Sequence, residues 1–537
     1  MISEKLEVTL EEQKVGSSST SRRGFLLGAA SLGMGAMAGL AQAQRVVGPP
    51  TGRNSGAGGP GGSAYGQVGR VAGGNNGFVY NGNYEEPSRW SSDLSRLVRR
   101  ISYGMRPSEA TAIEALGFSG YLNQQLNPAA IDDSVCETGV TTNFPNYNNA
   151  VAPAFKNSAA GVAMIDDWER VVTYRAIYSK KQLQQRMFEF WSDHFNIDRW
   201  KVDLAMTTGY YRDTIYPNSM GKFKDILMAV SKTGAMMVYL DNTLSTANKL
   251  NVNFAREIME LYSIGVDAGY TEADIYEVAR IFTGWGFNWT AGQGNSGHFV
   301  YYPAWHDPGN KTVMGVTFSS NGMAEGEAFV NWLANHPSTQ EFVGRKLCKF
   351  FLGTAPSSAL MSQIKSAWVS SDGDIKEILK VILTQANLTA APAKFKRPFH
   401  YGVSTMRHLE IANANIVALW HYCINRCGDT LYYWPQPDGY PDTAEYWSQG
   451  MVHRVDFGLK FGNMFINGLH YDLTATFGAS PSLTSVVDDL NNRLFYGEMS
   501  TSDKLWIRRH LRGKLLNEAN LKSAVALAVA GPGFQWY

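Results

Sequence analysis

Asn253-Phe254-Ala255-Arg256-Glu257-Ile258-Met259-Glu260-Leu261-Tyr262-Ser263-Ile264, then Gly265-Val266-Asp267-Ala268-Gly269, then Thr271-Glu272-Ala273-Asp274-Ile275-Tyr276-Glu277-Val278-Ala279-Arg280-Ile281-Phe282, is the stretch that decides the fold class. Phe254, Ile258 and Leu261 recur at helical spacing, and so do Ile275, Val278, Ala279 and Phe282. Gly265 stands where a helix stop belongs, since glycine takes the left-handed conformation without a Cβ penalty. Thr271 with Asp274 three residues on has the form of a capping box. Two helices across a glycine-bounded break predict a mainly α protein.

The same period extends outward. Leu94, Leu97 and Val98 fit one helix face, and Pro107-Ser108-Glu109 opens a helix expected to end near Gly117. Leu183, Met187, Phe190, Trp191 and Phe195 share a stripe, and helical spacing returns through Phe329–Leu333, Phe342–Phe351, Ile375–Leu383, from Val452 and from Leu505. One region breaks the rule: Phe299-Val300-Tyr301-Tyr302 and Lys311-Thr312-Val313-Met314 flank Asp307-Pro308-Gly309-Asn310 and read as a hairpin. Pro435, Pro437, Asp438-Gly439 and Pro441 mark a long irregular loop. The expected architecture is one large multi-helix domain over residues 87–537 with a small β-hairpin element.

Before that domain stand two other segments. Ser21-Arg22-Arg23-Gly24-Phe25-Leu26, an uncharged Gly/Ala-rich run to Leu40 and the small-residue site Ala41-Gln42-Ala43 form a twin-arginine (Tat) export signal over residues 1–43. The run is only marginal as a membrane span, so the protein is expected in the periplasm, cell envelope or extracellular space without membrane insertion after cleavage. Residues 44–86 are a Gly/Pro-rich linker with too little apolar surface to offset the entropy of ordering. A net charge of +1 excludes an electrostatic footprint for nucleic acid. Four cysteines are too few for a disulfide framework in a chain this long. Cys423 and Cys427 would share a helix face; a disulfide there is the weaker reading because helical geometry strains it.

Many short segments, in order, resemble a large bacterial family of exported proteins, the domain-of-unknown-function family DUF1800. They include Leu97-Val98-Arg99-Arg100-Ile101-Ser102-Tyr103-Gly104, Phe190-Trp191-Ser192-Asp193-His194-Phe195, Asn253-Phe254-Ala255-Arg256-Glu257, Thr283-Gly284-Trp285, His306-Asp307, His336-Pro337, and Pro437-Asp438-Gly439-Tyr440-Pro441 with Trp447. The resemblance implies export, helical architecture and association with a second exported protein resembling sulfatases. It supplies no established activity. Two positions depart from the family pattern: Asn-Glu-Asn becomes Asn251-Val252-Asn253, and Glu-Leu-His becomes Glu260-Leu261-Tyr262.

Four residues are candidates for chemistry: His194, Glu257, His306 and Asp307. His194 falls on the apolar face of its helix, where an imidazole is either a satisfied core residue or a ligand or base. Glu257 lies at the edge of its apolar stripe and Glu260 nearer solvent, with ion pairs from Arg256 to Glu260 and from Arg280 to Glu257 as the bland alternative. Asp307-Pro308-Gly309-Asn310 is a turn for local reasons, which leaves His306 unexplained. If the hairpin folds back, His194, Glu257 and His306 would hold a divalent metal or divide acid and base roles. Arg256 or Arg280 would orient anionic groups, and Trp191, Trp285 and Trp305 would wall the pocket. That is an exported hydrolase of an envelope or extracellular polymer, polysaccharide by preference. The rival is a non-enzymatic envelope binding or assembly protein working with the sulfatase-like partner, which Val252 and Tyr262 favour. No Gly-x-Ser-x-Gly elbow, phosphate loop, His-Glu-x-x-His helix or Cys-x-x-Cys-His site is present.

Overall fold

In the computed structural model, which describes residues 92–150, 158–291 and 296–537, the deciding stretch folds as the helices Asn253–Glu260 and Glu272–Ile281. Thr271 caps the second through Asp274 in a complete capping box. The first stops four residues short of Ile264. Its last turn loosens as the Tyr262 amide donates back to the Glu257 carbonyl and the Gly265 amide to that of Met259. The export signal and linker expected over residues 1–86 lie outside the described residues.

Helices make up nearly all of the regular structure, and the described residues fall in one unit, 81–537. Its axis is the helix Pro398–His408, every residue of which is buried. A helix enclosed on all sides needs partners for its polar groups. Arg407 finds them in the carbonyls of Gly104 and Ile177 and in Glu109. The helix Gln182–His194 packs nearby and carries the aromatic stripe foreseen for it. At the C-terminal end, Met451–Gly462 crosses Glu518–Ala530 so closely that a Cβ on Gly462 would sit 2.2 Å from the Ala526 Cα.

Two local expectations are corrected. The helix after Glu109 does not end at Gly117; it kinks there, at φ +64°, and continues to Leu126. The strands at 299–301 and 311–313 do not pair with each other. Phe299–Tyr301 pairs back to Trp285–Phe287, and Lys311–Val313 pairs forward to Val316–Phe318. The second hairpin turns on Met314 and Gly315, both at positive φ, the geometry that two-residue hairpin loops require. All four cysteines are buried free thiols, so Cys423 and Cys427 form no disulfide. No helix among the described residues is long and apolar enough to cross a membrane.

Candidate acid–base site

His194 ends its helix inside a box of Phe190, Trp191, Phe195, Phe223, Tyr262 and Phe342. Its Nε2 lies 3.1 Å from the Tyr262 carbonyl, to which it donates. Burial holds its pKa well below the ordinary histidine value. The ring is a neutral core imidazole.

His306 and Asp307 do come together with Arg280, but in a different assembly. His306 Nε2 is 3.0 Å from Glu325 and Nδ1 3.0 Å from the Thr283 carbonyl, so both ring nitrogens are engaged. Lys311 Nζ reaches the same Glu325 oxygen at 2.8 Å, with both side chains fully enclosed. Arg280 grips Asp307 through two hydrogen bonds of 2.9 and 3.0 Å and also pairs with Glu277. This arrangement ties the second hairpin to the helices Glu272–Ile281 and Met323–Asn335. Glu257 is buried, and Arg256 binds Glu272 rather than Glu260, which stays half-buried at its helix end. Trp285 is enclosed against Gly326, Trp191 donates to the Ser219 carbonyl, and Trp305 stacks on Tyr302.

His194, Glu257 and His306 therefore do not form a ready metal trio. Among the described residues the group of three His, Cys, Asp or Glu donors within 4.8 Å is Asp133, Cys136 and Glu137. Its acids are already engaged, Asp133 by Ser179 and the Lys180 amide, Glu137 by both arms of Arg175. A concavity of about 530 Å³ is lined by Met164, Tyr210, Arg212, Asp213, Lys232 and His298 among others. Its charges are paired too, Arg212 with Asp213 and Lys232 with Glu327.

A different centre lies one residue from His194. Glu189 and Asp193, four apart, project from the same face of Gln182–His194. Arg397, at the head of the axial helix, hydrogen-bonds Asp193, reaches Asp429 at 2.8 Å and lies 3.8 Å from Glu189. Glu189 also binds Arg186 and accepts the Tyr103 hydroxyl at 2.7 Å. Asp429 takes the Phe399 amide at 2.9 Å. Three carboxylates thus share two guanidiniums, which leaves one acid in excess. Burial pushes Asp193 up to about 6, against the pull of Arg397 and with the push of Glu189 and Asp429. Lys346, on the helix Pro337–Leu352, is lowered by burial to about 8, with Asp193 and Asp438 pulling the other way.

Asp193, a quarter exposed at its side chain, lines a cavity of about 40 Å³ together with Ser192, Asn196, Tyr432 and Tyr440. The volume holds a few water molecules. Ser192 Oγ has no hydrogen-bond partner among the described residues. The irregular loop foreseen around Pro435–Pro441 covers this side: Asn196 donates to the Trp434 and Gln436 carbonyls, and Tyr239 to that of Pro435. Gly439 comes so close that a Cβ would stand 2.2 Å from the Asp193 carbonyl oxygen, so no larger residue fits. Sequence reasoning passed over Asp193, Glu189, Arg397, Asp429 and Lys346. The i,i+4 acid pair beside His194 was the available signal; Arg397 and Asp429 are joined to it only by the fold.

Fold and centre define a class: a mainly helical protein whose axial helix begins with an arginine clamping a buried acid cluster. A family model described as "Protein of unknown function (DUF1800)" matches residues 96–536, and the chain belongs to that family. No curated protein and no solved structure matches it. Two of the segments that carry the resemblance, 190–195 and 437–441, meet at Asp193 and Gly439.

Proposed function

We propose that this chain is an exported hydrolase of an envelope or extracellular polymer, working by acid–base chemistry at Asp193. What carries the reading is Asp193, held at about 6 on the wall of a water-sized cavity, together with Lys346, held at about 8 and close enough to feel the Asp193 charge, so that the two values bracket neutrality. Groups held at values pushed apart in this way can divide base and acid roles. Asp193 as carboxylate takes a proton from water while the water oxygen bonds to the scissile centre. Lys346 as ammonium gives a proton to the departing oxygen. Arg397 positions the carboxylate, and the Ser192 hydroxyl is free to orient the water. Exposed Trp200, edge-on to half-buried Tyr433, offers an apolar ring for a sugar face, which favours polysaccharide.

The test is turnover of envelope and extracellular polysaccharides by the purified protein and by Asp193→Asn. The expected result is a bell-shaped rate profile with limbs near pH 6 and pH 8, and a loss of about 10²-fold or more in the variant. Turnover by the wild type that survives Asp193→Asn overturns the assignment.

A second reading is favoured by the pairing of Arg397 with each nearby acid and by Tyr262, whose carbonyl and ring serve the His194 box. Under it the cluster is a structural keystone of a binding protein, and the sulfatase-like exported partner holds the chemistry. A wild type inert on every polymer, yet retaining that partner in a pull-down from the envelope fraction, decides for it.

A further inference from the structure

Residues 394–396 pair with the chain's last residues: Lys394 and Tyr537 exchange hydrogen bonds of 2.8 and 2.9 Å, and the Lys396 amide donates to the Gln535 carbonyl at 2.8 Å. The pairing lays Trp536 and Tyr537 over the axial helix and leaves a cavity of about 190 Å³ between them. Its lining includes Tyr103, Lys396, His400, His408, Tyr496 and Tyr537, with exposed Ala393 and Trp536 at the rim.

Lys396 is 3% exposed and His400 2%, yet neither side chain has a hydrogen bond or ion pair with a described residue. Lys396 Nζ rests 3.5 Å from the centre of the Phe534 ring. His400 is wedged between Tyr537 at 4.3 Å and Tyr103 at 5.3 Å, with Nδ1 buried and unpartnered. The carboxylate in the lining, Glu498, is occupied by Arg99 at 2.5 Å. His408 is taken by the Tyr496 hydroxyl at 3.0 Å. Burial, with Arg99 and Arg454 adding to it, holds Lys396 well below the ordinary lysine value. An ammonium enclosed without a counter-charge costs several kcal/mol, and an aromatic face returns only about 1–2 of them; an anion beside it would restore the charge. The space beside Lys396, about 190 Å³, is large enough for a small molecule.

We propose that this cavity binds a small organic carboxylate, its oxygens on Lys396 Nζ and His400 and its apolar body against Tyr103, Phe495 and Tyr537. A carboxylate is preferred to phosphate because the walls are aromatic and a single lysine stands without an acidic partner among the described lining residues. The site shares the Tyr103 wall with the Asp193 cavity, but its ligating groups Lys396 and His400 stand outside the acid cluster, and the proposal does not depend on the hydrolase reading.

Calorimetric titration of the full chain with butyrate tests it, with inorganic phosphate as the second probe. Butyrate is expected to bind saturably, one per chain, and to bind about tenfold or more weakly in Lys396→Met, while Asp193→Asn binds as the wild type does. Lys396→Met removes the buried amine and keeps the stem, so its unliganded melting temperature is expected to equal or exceed that of the wild type. Should it fail to fold, His400→Phe supplies the same comparison. No saturable binding of butyrate up to about 10 mM, phosphate binding alone, or undiminished binding in the variants overturns the proposal.

Discussion

Asp193 and His194 are neighbours in the chain and opposites in environment. One helical step of about 100° turns the imidazole into an aromatic box and the carboxylate toward Arg397. The apolar stripe pointed to His194 because periodicity reports which face is buried. It says nothing of a charge buried on the adjoining face by contacts 204 and 236 residues away (Arg397, and Asp429 through it). Asp193 also makes stability depend on pH. Its native value of about 6 lies above the ordinary 3.8, so the native state holds the proton more tightly than the unfolded chain. Stability from this group is full below pH 3.8 and declines as pH rises through 6. Asp193→Asn, which mimics the protonated acid, should melt like the wild type at about pH 4 and be more stable by roughly 1–3 kcal/mol at pH 8. Melting curves at the two pH values check it. A variant less stable at pH 8 would mean that the Arg397 pair outweighs burial.

Elements whose signals are local were legible. The cap at Thr271 and the stripe of Gln182–His194 lie within a few residues of what they determine, whereas Gly265 takes the expected positive φ but the helix before it has already ended at Glu260. Strand pairing was not. Phe299–Tyr301 had two possible partners, and the turn residues at 307–310 pointed to the wrong one. Asp307 and His306 are instead spent on Arg280 and Glu325, while Met314-Gly315 makes the turn. Helix contact was equally silent, since a glycine in a helix reads as a weak helix former rather than as a crossing point. Gly462 is such a point. Gly462→Ala brings a methyl within 2.2 Å of the Ala526 backbone, and should cost about 1–3 kcal/mol of stability. Denaturant unfolding measures it; an unchanged midpoint would show that the two helices can part without loss.

At the scale of the molecule, the family match covers residues 96–536 and begins within the first described helix, Asp93–Ile101. The proposed export rests on Arg22 and Arg23 ahead of it. Replacing both with lysine keeps charge and hydropathy but removes the pair that the receptor reads. The protein should then stay in the cytoplasmic fraction on cell fractionation; export that survives the change would remove the twin-arginine reading. Overall helical architecture was legible from periodicity because each helix signals its own burial, whereas the axial role of Pro398–His408 was hidden by the polar His400, Arg407 and His408 in its midst.

Cys136, Cys348, Cys423 and Cys427 are shut inside the molecule and none is joined to another. A protein held together in this way has no maturation step that waits for an oxidant. It can be finished among glutathione-rich surroundings, and the crossing proposed for it would leave its thiols as they were.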